Sequence, residues 1–155
     1  MKRIKKILLA ILIVVVVIQF IQPARNKSGQ ALPTDIEKTY SIPQDITVIL
    51  KNACYDCHSN NTRYPWYVNT QPTAWIMAGH IKDGKAKLNF SEFGSYPIRR
   101  QASKLKGIAN SIKDDEMPLS SYKLMHNSAR LSETDKKLLT DWMQKTADSL
   151  SAITN

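Results

Sequence analysis

The chain has 155 residues and carries 22 basic against 13 acidic side chains, a formal net charge of +9. That length suits one domain with a modest core. Six of the basic residues fall in the first 27 positions, where there is no acidic one; the other 16 face all 13 acidic residues, which leaves +3 and none of the basic striping that nucleic-acid binding needs.

The N-terminus sets a basic cluster, Lys2-Arg3-Ile4-Lys5-Lys6, before Ile7 to Ile21, which is apolar except for Gln19. Basic followed by apolar is the pattern of a secretory signal or an N-terminal anchor. The run is shorter than the roughly 20 residues a straight span prefers, but Ile4 and snorkelling lysines extend it. No A-x-A-like site follows, and Gln22-Pro23-Ala24-Arg25-Asn26 is a poor substitute. The expectation is therefore an uncleaved membrane helix over residues 1–21, with a cleaved signal as the other reading. Its basic flank stays cytoplasmic. This makes the chain a single-pass protein of the cytoplasmic (inner) membrane whose domain faces the periplasm.

Residues 22–40 carry Pro23, Gly29 and Pro33 with no hydrophobic period and read as a linker. The domain is expected over 41–150. Its first helix starts near Ser41-Ile42-Pro43-Gln44, with Ser41 as N-cap and Gln44 completing a capping box. Ile46, Ile49, Leu50 and Ala53 then fall on one face.

That face leads into Cys54-Tyr55-Asp56-Cys57-His58, a C-x-x-C-H attachment signature for c-type haem. Two thiols three positions apart can each add to one haem vinyl group, and the histidine directly after the second can ligate iron. Three other readings compete: a disulfide, a thioredoxin-like redox pair, and half a zinc site. The disulfide leaves His58 unexplained. The redox pair wants a βαβ pattern that is missing, and zinc wants a second compact ligand pair that is also missing. Export agrees with covalent use of both thiols, since free thiols outside the cytoplasm tend to be oxidised.

Asn60 to Pro65 reads as a loop. Pro72 opens a short helix through Trp75, Ile76 and His80 that the Asp83-Gly84 turn stops. Asn89 to Ser95 is irregular. A helix after Pro97 aligns Ile98, Ala102, Leu105, Ala109 and Ile112 on one face, and the stretch from Lys113 to Leu119 breaks it. The last helix starts at Ser132, whose S-x-x-D spacing to Asp135 resembles a capping box, and buries Leu138, Leu139, Trp142 and Met143. Four helices, long loops and no strand alternation make the fold all-α, with loops packing around a cofactor.

The second iron ligand is expected to be Met117, in the loop before Pro118. The proline stiffens that backbone, and thioether ligation beside imidazole raises the reduction potential. His80 and His126 are the histidine alternatives. Trp66, with Tyr64, Tyr67 and Trp75, offers aromatic packing to the haem edge. Arg63 offers a guanidinium to a propionate, or is a solvated surface arginine.

The run from Asp56 through Ser59-Asn60-Asn61-Thr62-Arg63-Tyr64-Pro65-Trp66-Tyr67 is very similar to the haem-binding domain family of membrane-anchored c-type cytochromes. Pro72, Trp75, His80, Gly84, Asn89 and Ser91 resemble its second block. Glu116-Met117-Pro118, Tyr122, His126, Ala129, Leu131 and Trp142 resemble its third. The resemblance covers about residues 40–147 and extends to the N-terminal segment. Phe93, where the family often has tryptophan, and Leu119, where a second proline is common, depart from it. The resemblance implies one covalent haem c, its iron between His58 and Met117, in a small cytochrome-c-like helical domain. The expected function is single-haem electron transfer between redox partner proteins rather than an enzymatic reaction. A haem-based redox or gas sensor and a peroxidase-like enzyme are the alternatives.

Overall fold

The computed structural model describes residues 2–153, so Met1 lies outside it. Among the described residues the chain is helical with no strand. In chain order the α-helices are α1 (Lys2–Ile18), α2 (Ile36–Thr39), α3 (Gln44–Ala53), α4 (Tyr55–His58), α5 (Thr73–Lys87), α6 (Ile98–Lys113), α7 (Ser120–Met125) and α8 (Glu133–Ile153). The all-α expectation holds for the domain. The membrane helix does not. With 17 residues at about 1.5 Å each, α1 falls short of the roughly 30 Å hydrocarbon layer, and its first turns are charged. No helix among the described residues is long and apolar enough to cross a membrane. The single-pass inner-membrane location expected from residues 1–21 is overturned with it.

The main core forms where α3, α6 and α8 meet. Ile46 and Leu50 of α3, Leu105, Ala109 and Ile112 of α6, and Leu139, Met143 and Ala147 of α8 are fully or almost fully buried. These are the residues that the 3.6-residue period puts on one face of each helix. Ile98, expected on the same stripe, is 41 % exposed. The start of α3 differs from expectation: Pro43 takes the cap position, with no side-chain acceptor for the first-turn N–H groups, while Asp45 Oδ1 accepts from Ile46 N at 2.9 Å. The α8 capping box is present. Asp135 N donates to Ser132 Oγ at 3.1 Å, and Ser132 N donates to Asp135 Oδ2 at 3.0 Å.

Two segments expected to be irregular carry core. Phe90 to Ser95 winds into a 3₁₀ helix, whose three-residue turn puts Phe90 and Phe93 on one side, both fully buried. Residues 22–40 are not a free linker. Ile36 of α2 is fully buried in the main core, and Gly94 N donates to Thr34 O at 2.7 Å. Asn26 fastens the same segment over the loop after α4. Its Nδ2 donates to Ser59 O at 2.8 Å and Thr62 Oγ1 at 2.9 Å, and its Oδ1 accepts from Lys85 Nζ at 2.7 Å.

A second, smaller core gathers Val68, Met77 and Ile81, with Tyr64 and Tyr67 against it. Cys54 packs on the main core and Cys57 on this one, so the five-residue motif bridges the two. Helix α5 runs unbroken through Asp83-Gly84, where a turn was expected. The reason lies in the site.

Candidate haem site

Helix α3 ends at Ala53, and the chain turns at Cys54, whose N–H still bonds to Leu50 O. The single turn of α4 then carries Cys57 and His58. His58 N donates to Cys54 O at 3.0 Å, which closes the motif into a compact unit. Both cysteines are free thiols. Burial pushes both thiols up, Cys54 to about 12 and Cys57 to about 11, with Asp56 adding to the second. Redox-active C-x-x-C pairs have the opposite tendency, because their chemistry needs thiolate at neutral pH.

His58 is aimed by two carbonyls. Its Nδ1 lies 3.0 Å from Gly84 O and 3.1 Å from Leu88 O, at the end of α5. An N–H donated there fixes the tautomer and leaves the Nε2 lone pair free, the arrangement typical of a metal-ligating imidazole. Burial lowers the pKa of His58, which favours the neutral ring that ligation requires.

Gly84 is what lets α5 come close enough. A Cβ at this position would lie 2.7 Å from Cys57 O and 3.3 Å from the Cys57 carbonyl carbon, closer than a side chain tolerates against backbone. Sequence reasoning took this glycine for a helix stop, because Asp-Gly is a turn signal whenever the neighbouring helix is unknown. Gly84→Ala gains about 1 kcal/mol of helix propensity but forces α5 off α4, a misfit worth roughly 1–3 kcal/mol and here at the upper end. The expected net loss is about 2 kcal/mol, read as a fall in the thermal midpoint of about 4–8 °C. An unchanged midpoint would show that α5 does not depend on this approach.

A cleft in two lobes opens beside the motif. One, of about 380 Å³, is walled by Cys54, Leu88, Phe90, Ile108, Ile112 and Leu131. The other, of about 420 Å³, is walled by Cys57, Val68, Ile76, Met77, Tyr67 and Tyr122. Ala53, His58, Lys87, Met117 and Pro118 border both. The two lobes therefore share His58 and Met117 on their border, and each has one of the two cysteines in its wall. Such volumes are in the range of cofactor sites. A largely apolar slot, two protonated thiols, a neutral imidazole with a free Nε2 and a thioether together fit a haem and its iron.

The loop that delivers Met117 is held at the end of α6. Glu116 N and Met117 N both donate to Ser111 O, at 3.0 and 3.1 Å. Asp115 takes φ 56°, the left-handed region, to make the turn, and its carboxylate pairs with Lys136 Nζ at 2.7 Å.

The other expected site residues are placed elsewhere. Arg63 borders neither lobe; its Nε lies 3.4 Å from Asp56 Oδ1 and its Nη2 donates to Lys51 O at 2.5 Å. Trp66 is 79 % exposed and also outside the cleft, while its neighbour Tyr67 borders it. His80 borders the second lobe on an exposed turn of α5. His126 lies behind Tyr122, stacked on its ring at 4.0 Å between centroids and 3.1 Å from Tyr67 Oη through Nε2.

Sequence reasoning missed Asp56, whose position inside the motif drew attention only to its neighbours. Its buried carboxylate accepts from Tyr122 Oη at 2.7 Å and from Arg63 N at 3.0 Å. Burial, and then the bond to Asp56, raise the pKa of Tyr122, so its hydroxyl stays a donor.

No curated protein and no solved structure matches the chain. The profile of a family described as a haem-binding domain matches residues 13–145, a span that takes in both thiols, His58, Met117 and every wall of the cleft. With a match over that much of its length and a cleft whose donors suit the cofactor, the chain belongs to the haem-binding domain family.

Proposed function

We propose that the chain carries one haem c, which Cys54 and Cys57 would attach and whose iron His58 and Met117 would hold, and that it passes single electrons between redox partner proteins. The observation that carries this reading is the slot: His58 and Met117 border both lobes, while Cys54 borders only one and Cys57 only the other. Attachment is an addition: each thiol S–H adds across a vinyl double bond, the sulfur bonding one carbon and the hydrogen passing to its neighbour, with no oxidant consumed. Once bound, the group supplies one-electron chemistry. The chain's own residues do the rest. Gly84 and Leu88 carbonyls orient the imidazole, the apolar walls exclude water, and a thioether beside imidazole favours a high potential suited to a carrier.

The test is a reduced-minus-oxidised absorption spectrum of the purified protein, with and without carbon monoxide, and after acid–acetone extraction. The expected result is a c-type spectrum that stays with the protein on extraction and does not respond to carbon monoxide. Haem that extracts into acetone would overturn covalent attachment. A rapid carbon monoxide response would overturn the six-coordinate carrier in favour of a sensor or peroxidase-like enzyme.

A further inference from the structure

Haem is an apolar disc with two carboxylates on one edge, and the residue expected to meet them, Arg63, is engaged away from the cleft with Asp56 and the Lys51 carbonyl. The cleft has its own cations. Lys87, in the last turn of α5, borders both lobes, and Lys104, on α6, borders the first. No acidic side chain borders the first lobe; Asp83 is the acidic group on the second. Neither lysine's side chain forms a hydrogen bond or ion pair among the described residues. Several lysines away from the cleft, such as Lys38 and Lys113, are likewise unpaired, so it is the place of Lys87 and Lys104 on the cleft border that singles them out. Lys87 is also near enough to His58 to disfavour its protonation.

Taking the haem reading above as given, we propose that Lys87 and Lys104 bind the two propionate carboxylates of the haem. Two unpaired ammonium groups at the border of a mostly apolar slot match the amphiphile's two charges, and the alkyl stems of both lysines continue the apolar wall. The same contacts orient the ring. With the carboxylate edge held at the lysines, the vinyl-bearing edge is left for Cys54 and Cys57, so the pair positions the thiols' substrates before any bond forms. Lysine suits this role as a flexible point charge, where a carboxylate already fixed by covalent bonds elsewhere on the ring needs no planar fork.

The test uses the covalent holoprotein, with haem labelled by ¹³C at its propionate carboxyls through growth on carboxyl-labelled 5-aminolevulinate. The two carboxyl resonances of the reduced protein are followed against pH. In the natural chain both are expected to titrate below the ordinary range of a free carboxyl, because an opposite charge within a few ångströms lowers a carboxyl pKa by about 1–3. Lys87→Gln and Lys104→Gln should each raise one midpoint by about one pH unit. Arg63→Gln should leave both where they were. Midpoints unmoved by either lysine change, or one moved by Arg63→Gln instead, would overturn the assignment. A chain that holds no covalent haem is seen before any titration, as the absence of a haem spectrum, and would overturn the underlying haem c reading together with this one.

Discussion

Met117→Ala should abolish the weak thioether-to-iron absorption band at the red end of the oxidised spectrum and open the iron to carbon monoxide. The reduction potential should fall by a sizeable part of the roughly 0.8 V over which axial ligands tune haem. The size follows from what the loop is built to do. Two backbone N–H groups converge on Ser111 O, a left-handed Asp115 turns the chain, and Pro118 borders both lobes beside Met117. The Asp115–Lys136 pair is too exposed to add much, so the backbone bonds and the proline carry the placement. Survival of the band in Met117→Ala would place another thioether on the iron. Met77 and Met125 border the second lobe alone, and would then be the candidates.

The helices with a long apolar period were legible in the sequence. Leu50 on α3, Leu105 and Ala109 on α6, and Leu139 and Met143 on α8 are buried where their spacing puts them. Haem binding was legible too, and the family match bears it out; the structure brings Met117, expected from its place before Pro118, to the same cleft as His58. What stayed hidden has no period to reveal it. Ile36 and Asn26 are single residues in a Pro- and Gly-containing stretch, and only the fold shows one filling the core and the other binding three partners. Phe90 and Phe93 follow a three-residue turn too short to distinguish from a loop. Gly84 is a turn signal by local chemistry and a close approach by tertiary contact, and only the position of Cys57 decides between them. Arg63 is the converse case. Its guanidinium suits a propionate, but Asp56 lies seven residues back on the same surface and takes it first. The basic, apolar N-terminus looked like an anchor because charge order and composition are visible in sequence, while the length of the helix that forms is set by where it ends, at Ile18.

Asp56→Ala should lower the stability of the holoprotein by about 3 kcal/mol, since it removes hydrogen bonds worth roughly 1.5–3 kcal/mol each when one partner is charged and strands the Tyr122 hydroxyl. The exposed Arg63 side chain is discounted from this figure, because a pair that solvent reaches contributes little. The functional consequence is the more informative. Asp56 sits between the two thiols, and Tyr122 sits on α7, directly after the Met117-Pro118-Leu119 segment. Their bond therefore ties the element that carries His58 to the element that follows Met117, and so braces the two residues proposed as iron ligands against each other. Tyr122→Phe cuts the same tie while keeping the ring and its stack on His126. Both variants are expected to keep covalent haem, since neither touches a thiol. Both should let carbon monoxide bind where the natural chain is expected to exclude it, with Asp56→Ala losing more stability to denaturant because Arg63 N also loses its acceptor. Denaturant midpoints and carbon monoxide difference spectra measure the two effects separately. Variants that lose stability yet still exclude carbon monoxide would show that Met117 is held by its own loop alone, and that Asp56 only braces the attachment motif.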